Sequence, residues 1–381
     1  MRIRDAVHIR GVVLLLAFFF AAMPLLAAVP VTAYASPFPS SRAEIGQSRC
    51  QDVFFTHIGL SSTDPLPDNT IYGRLCSPTQ SQTQTLVILV HGATYDHNYF
   101  DWPDPRTLDP AWPSHPDWPQ IYSTVGALNQ AGYATLAIDR IGIGRSSHPA
   151  SSALTIDANA FVLHQLIQQV RAGAMGFPPG TATHIVVVGH SLGSMTATKE
   201  AAQYHDVDGV VLTGVLHLAN PAANALLQFI PAQSDPSHRF DQLDAGYLTT
   251  APNTRAASFY GGVYDPAVVA FDEQIKQTTT TGELAEAQQL FASAESFAIT
   301  KQISVPVLSI IGQDDRLFCG PQGSNCASQT TVMQQEAPYY APQAQFQIVL
   351  VPNTGHDLAL HVTAPFTNSC IVTWLNHQVS N

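Results

Sequence analysis

Six runs of aliphatic and β-branched residues recur along this chain, and most are followed by a stretch with helical spacing. They are Thr85–Val90, Tyr133–Ile138, His184–Val188, Gly209–Val215, Val305–Ile311 and Gln345–Val351. Runs that are apolar at nearly every position suit strands covered on both faces. Helical spacing appears over Ile121–Ala131, which ends at Gly132, and over Ile156–Arg171, Ser191–Tyr204, Gln329–Glu336 and Pro365–His377. This alternation predicts a mostly parallel sheet with helices on both sides. Two shorter strand candidates, Val53–Gly59 and Thr70–Cys76, precede the series and are joined by a Pro/Asp-rich loop. The alternation breaks over residues 217–300, which read as several helices, among them Pro266–Lys276 and Glu283–Ser293. That block is expected to be a cap inserted between two strands, dividing the body into residues 36–216 and 301–381.

Residues 1–35 read as an address rather than as structure. Arg2, Arg4 and Arg10 precede a long apolar run, and Ala33-Tyr34-Ala35 supplies an A-x-A cleavage pattern before Ser36. This is the layout of a secretory signal peptide, and Pro24 with the small residues after it favours cleavage over a retained anchor. No second stretch is long and apolar enough to span a bilayer. The expected product is a secreted protein with no stable membrane span once the leader is removed. Export permits disulfides. Cys50 and Cys76 flank the first strand pair and Cys319 and Cys326 share one Gly/Pro-rich loop, which suggests these two pairings, with Cys370 left over as a small buried residue; five cysteines allow other pairings, and spacing alone does not choose among them. The net charge of −12 opposes binding to nucleic acid backbones. No C-x-x-C or H-E-x-x-H spacing occurs, and Asp96, His97 and Asp101 in one loop lack compact ligand spacing, so neither metal nor cofactor is expected.

The strand candidate His184–Val188 runs into Gly189-His190-Ser191-Leu192-Gly193, and a helix candidate follows. A G-x-S-x-G sequence in that position makes a tight turn that aims the serine hydroxyl out at the top of the sheet. The helix that follows presents its positive end to charge developing there. His190 reads as a spacer. A serine needs a base, and the base an orienting acid. After Val305–Ile311 comes Gly312-Gln313-Asp314-Asp315-Arg316, and after Gln345–Val351 comes Asn353-Thr354-Gly355-His356-Asp357. His356 is the candidate base, because among competitors such as His217 and His361 only it follows the last strand and a glycine turn. Either Asp314 or Asp315 can serve as the acid. The oxyanion of an acyl-transfer intermediate would be held by the amide of Leu192 and by one from the loop His91-Gly92-Ala93-Thr94. Ala93 is the natural donor there, with Thr94 or Tyr95 as alternatives.

These segments, with Asp139-Arg140-Ile141-Gly142-Ile143-Gly144-Arg145-Ser146, resemble the α/β-hydrolase superfamily over most of the chain. The resemblance implies an α/β-hydrolase fold: a mostly parallel eight-stranded sheet flanked by helices, with an inserted helical cap. It implies that Asp139 and Ser146 belong to a scaffold turn, and it selects Asp315 over Asp314, because the family's acid stands fourth in a G-x-x-D stretch. Haloalkane dehalogenases and epoxide hydrolases carry aspartate at the elbow, so Ser191 implies neither of those chemistries.

The expected activity is cleavage of a small-molecule carboxylic ester or lactone through a Ser191–His356–Asp315 triad and an acyl-enzyme. Acyl transfer or amide cleavage could run on the same triad, and a ligand-binding protein of the same fold is the non-catalytic alternative. Tyr95, Tyr99, Phe100, Trp102, Trp112 and Trp118 crowd one loop, and Phe259, Tyr260, Tyr264 and Phe271 lie in the cap segment. These rings either line an acyl pocket or hold the loop to the body.

Overall fold

The computed structural model describes residues 48–64, 68–78, 84–174 and 184–379. The expected leader, residues 1–35, and nearly all of the arm after it lie outside the described residues.

The first six strands are β1 (Arg49–Ile58), β2 (Asn69–Ser77), β3 (Thr85–Val90), β4 (Ala134–Ile138), β5 (His184–His190) and β6 (Gly209–Thr213). Then come β7 (Phe229–Pro231), β8 (Tyr247–Thr250) and β9 (Thr279–Thr280), and the series ends with β10 (Val307–Gly312) and β11 (Gln347–Val351). Eight of them form one sheet in the order β1-β2-β4-β3-β5-β6-β10-β11. The pairings β1–β2 and β2–β4 are antiparallel, and the others are parallel. All residues of β3, β4, β6 and β10 are buried, as their unbroken apolar runs require of strands covered on both faces.

The helices are α1 (Trp118–Ile121), α2 (Thr124–Gln130), α3 (Ile156–Arg171), α4 (Leu192–Tyr204), α5 (Arg255–Phe259), α6 (Pro266–Ile275), α7 (Thr281–Leu290), α8 (Gln329–Glu336) and α9 (Ala364–Gln378). In the body α3 packs on α4, and α2 on α9. Thr155 caps α3 by accepting the Ala158 amide at 3.0 Å, and the helix buries its apolar stripe. The expected helix over Ile121–Ala131 is instead two pieces. Ser123 takes an extended conformation between them, and its hydroxyl caps α2 by accepting the Gly126 amide at 2.7 Å.

The segment between β6 and β10 departs from an all-helical cap. Besides α5, α6 and α7 it holds a three-stranded antiparallel sheet, β7-β8-β9. Strands of two to four residues are too short for alternation to be read in the sequence. Both expected disulfides are formed. Cys50 and Cys76 face each other across β1 and β2, and Cys319–Cys326 closes the loop after β10. Cys370 is free and half-buried rather than fully buried. No helix among the described residues is long and apolar enough to cross a membrane.

One acid in the body is out of keeping with its surroundings. Glu200, on α4, is fully buried, and its carboxyl group faces the Asp206 carboxyl, to which it can hydrogen-bond only in its protonated form. Burial and the neighbouring Asp206 carboxyl both push its pKa well above the ordinary glutamate range. A folded-state pKa above the unfolded one contributes stability at low pH that is lost as pH rises. Glu200→Gln is therefore expected to stabilise the fold by about 1–3 kcal/mol at about pH 8 and by less at about pH 5. Thermal melts at the two pH values check this, and an equal shift at both would contradict it.

Candidate active site

Ser191 sits between β5 and α4 with φ of 51°, a left-handed conformation that a serine adopts only under strain. The flanking glycines make the turn feasible. A Cβ on Gly193 would lie 2.0 Å from the Val90 carbonyl oxygen, and one on Gly189 2.5 Å from the Gly193 carbonyl oxygen. The Ser191 amide donates to the Thr213 carbonyl at 2.8 Å, which ties the turn to the end of β6.

Asp315 follows β10 and is fully buried. Its Oδ1 accepts the Leu317 amide at 2.9 Å, and its Oδ2 lies 2.8 Å from His356 Nδ1. Asp314, its neighbour, is exposed and points elsewhere. His356 follows β11, and its amide donates to the Phe259 carbonyl at 2.8 Å, so the inserted segment holds the histidine loop. The imidazole stacks near the rings of Phe259 and Phe318, at centroid distances of 5.8 and 6.1 Å. Burial pushes the His356 pKa down, but the Asp315 charge and hydrogen bond outweigh it and hold the group above the ordinary histidine value. Ser191 and His356 both face one cavity of about 580 Å³, while Asp315 stands behind the histidine. Ala93 and Leu192 line the same cavity, and neither amide has an acceptor among the described residues. Leu192 opens α4, where the first amides have no intrahelical partner.

Other candidates have structural occupations. His217 is buried between Glu336 Oε2 at 2.6 Å and Thr300 Oγ1 at 2.9 Å. His361 accepts the Gly355 amide at 3.0 Å. The Asp139 carbonyl accepts the Ser146 hydroxyl at 2.6 Å, and that hydroxyl accepts the Tyr72 amide, which makes this segment a turn that joins β4 to β2. Asp96 and His97 converge with Asp139, but Asp139 Oδ1 already takes the His97 amide at 2.9 Å and lies 2.7 Å from its ring. Asp101 accepts the Ser123 hydroxyl instead. Of the loop aromatics only Tyr95 lines the cavity. Trp102, Trp112 and Trp118 pack around Phe271 of α6, at centroid distances of 5.6, 5.4 and 5.9 Å. The loop therefore braces the inserted segment more than it shapes the cavity.

Sequence reasoning passed over a polar cluster beneath the site. His190 is not a spacer. It is fully buried, stacked on Tyr99 at 4.3 Å, and 3.1 Å from Asp357 Oδ1. Tyr95 joins Asp357 to Asp272, and Arg255 grips Asp272 with two bonds of 2.8 Å. His356-Asp357 and Thr94-Tyr95 were visible as neighbours in the chain. Their meeting with residues 255 and 272 has no local signal.

A profile of the alpha/beta hydrolase family matches residues 87–367. No curated protein matches the sequence. Among solved structures the chain is similar to an esterase from Exiguobacterium antarcticum, with 14% identity over 81% of this chain and 96% of that one, and a TM-score of 0.53. It is also similar to a bromoperoxidase from Bacillus anthracis, with 16% identity over 86% of this chain and 100% of that one, and a TM-score of 0.50. At these identities the likeness is one of fold.

Proposed function

The chain belongs to the alpha/beta hydrolase family, and we propose that it is a secreted serine hydrolase that cleaves an uncharged carboxylic ester or lactone. The observation that carries this reading is His356, backed by Asp315, facing the same cavity as a serine held in a strained turn. In the proposed reaction His356 Nε2 takes the Ser191 proton as Oγ attacks the substrate carbonyl. Asp315 keeps the other ring nitrogen protonated and stabilises the imidazolium that forms. The amides of Leu192 and Ala93 hold the oxyanion, with the positive end of α4 behind them. His356 then returns the proton to the leaving alcohol, and water, activated by the same histidine, releases the acid.

The cavity walls support an apolar acyl group. Met195, Leu227, Leu284, Phe291 and Phe318 supply them, and the only charged residue type there besides histidine is Asp357. Residues 217–300 contribute much of this lining and serve as the cap in this reading. Export is supported by two disulfides, which persist in oxidising compartments, and by the leader pattern of residues 1–35.

The test is covalent labelling of the purified protein with a fluorophosphonate, located by peptide mass spectrometry, beside a panel of p-nitrophenyl esters. One adduct on Ser191 with turnover of neutral acyl esters is expected. A folded protein with neither adduct nor turnover would leave the ligand-binding reading in its place.

A further inference from the structure

Asp357 directly follows His356 and is fully buried. Its Oδ2 accepts the Tyr95 hydroxyl in a short contact, its Oδ1 lies 3.1 Å from His190 Nε2, and its carbonyl lies 2.7 Å from His361 Nδ1. No lysine or arginine forms an ion pair with it among the described residues. Arg255, the cation of this cluster, is committed to Asp272 through Nε and Nη2, and to Thr94 Oγ1 at 2.8 Å. Asp315 is paired with His356. An isolated buried carboxylate is costly, and it takes up a proton when no cation answers it.

The hydrogen bonds indicate where that proton lies. His190 Nδ1 is 3.1 Å from Thr213 Oγ1. The threonine hydroxyl has one proton and donates it to the Gly189 carbonyl at 3.0 Å, so towards the ring it accepts. Nδ1 therefore carries one ring proton; burial, with the His356 ring 5.0 Å away, disfavours a second proton on Nε2, so the neutral ring turns its Nε2 lone pair to Asp357 Oδ1. Two acceptors 3.1 Å apart need a proton between them. On the other side, the single Tyr95 proton serves the short contact with Asp357, although Asp272 Oδ2 is also 3.0 Å away and takes the Tyr260 hydroxyl as well.

We propose that Asp357 is a carboxylic acid at neutral pH, donating to His190 Nε2 and accepting from Tyr95. This rests on the serine-hydrolase reading for its purpose but not for its chemistry. Asp357 is then a positioning residue. It ties the His356 loop to the nucleophile turn through His190, and to the oxyanion loop and inserted segment through Tyr95, Asp272 and Arg255. Being neutral, it does this without a second negative charge beside His356, and Asp315 alone orients the base. The surroundings agree. Burial pushes the Asp357 pKa up, only partly opposed by His356 and Arg255, while burial and repulsion by His356 push His190 down.

Asp357→Asn and Asp357→Leu test this. The asparagine amide keeps both bonds, giving N–H to His190 and taking the Tyr95 hydroxyl on its oxygen, whereas leucine keeps neither. Three results are expected. Infrared difference spectra of the wild type against Asp357→Asn at neutral pH show a carboxylic-acid C=O band present only in the wild type. The acid limb of kcat/KM stays at the wild-type pH in Asp357→Asn. Asp357→Leu loses about 10²-fold in kcat, the scale of a misplaced catalytic group. A missing acid band, an acid limb moved to lower pH, or an Asp357→Asn variant that fails to fold would each overturn the proposal, because each means that an ionised carboxylate was replaced. The infrared measurement does not depend on turnover, so an inactive wild type would count against the serine-hydrolase reading and leave this assignment decided on its own.

Discussion

Ser191→Ala is expected to lower ester turnover about 10⁶-fold, the scale at which loss of the nucleophile collapses a catalytic triad. It should also abolish fluorophosphonate labelling. The fold should survive. Alanine keeps the Cβ and meets the same strain at φ of 51°, and the amide bond to the Thr213 carbonyl is unaffected. Residual turnover would reflect binding and the amides of Leu192 and Ala93. Turnover at a wild-type rate in a folded variant would remove Ser191 from the mechanism, and with it the reading of the cavity as an acyl-transfer site.

Asp315→Asn should cost about 10⁴-fold in kcat, because an amide facing Nδ1 holds the imidazole in the wrong tautomer. This variant also carries a pH signature. His356 must be neutral to accept the serine proton, and in the wild type its pKa stands above the ordinary histidine value because of Asp315. The acid limb of kcat/KM in the wild type is therefore expected above that value. Removing the aspartate charge leaves burial in command, so the limb in Asp315→Asn should move to lower pH while the plateau falls. A pH profile of the two proteins checks both effects. A limb that does not move would mean that another group sets the His356 pKa.

Much of this architecture was legible before any coordinates. The two-faced strands are written in unbroken runs such as Thr85–Val90, and the tight turn that holds Ser191 in the passage from His184–Val188 through Gly189–Gly193. The helix over residues 121–131 was not fully legible, since Ser123 fits a helix by composition and interrupts it only because the chain bends there to bridge Asp101. The small sheet of the inserted segment was hidden by strands of two to four residues. The loop aromatics left two readings open, and packing of Trp102, Trp112 and Trp118 against Phe271 chose bracing for those three.

The sequence by itself determined the alternation of strand and helix, the tight turn that holds Ser191, and the placing of Asp315 and His356 after the last two long strands. Each of these is a local pattern, or the order of local patterns, and spacing along the chain encodes it. Tertiary structure alone decided that His190 meets Asp357 across 167 residues. It also decided that Arg255 and Asp272 brace the loop of Thr94 and Tyr95. Burial removes water as a partner, so each of these polar groups takes whichever donor or acceptor the fold brings within reach. That choice depends on distant segments meeting in space, which periodicity and motif do not record.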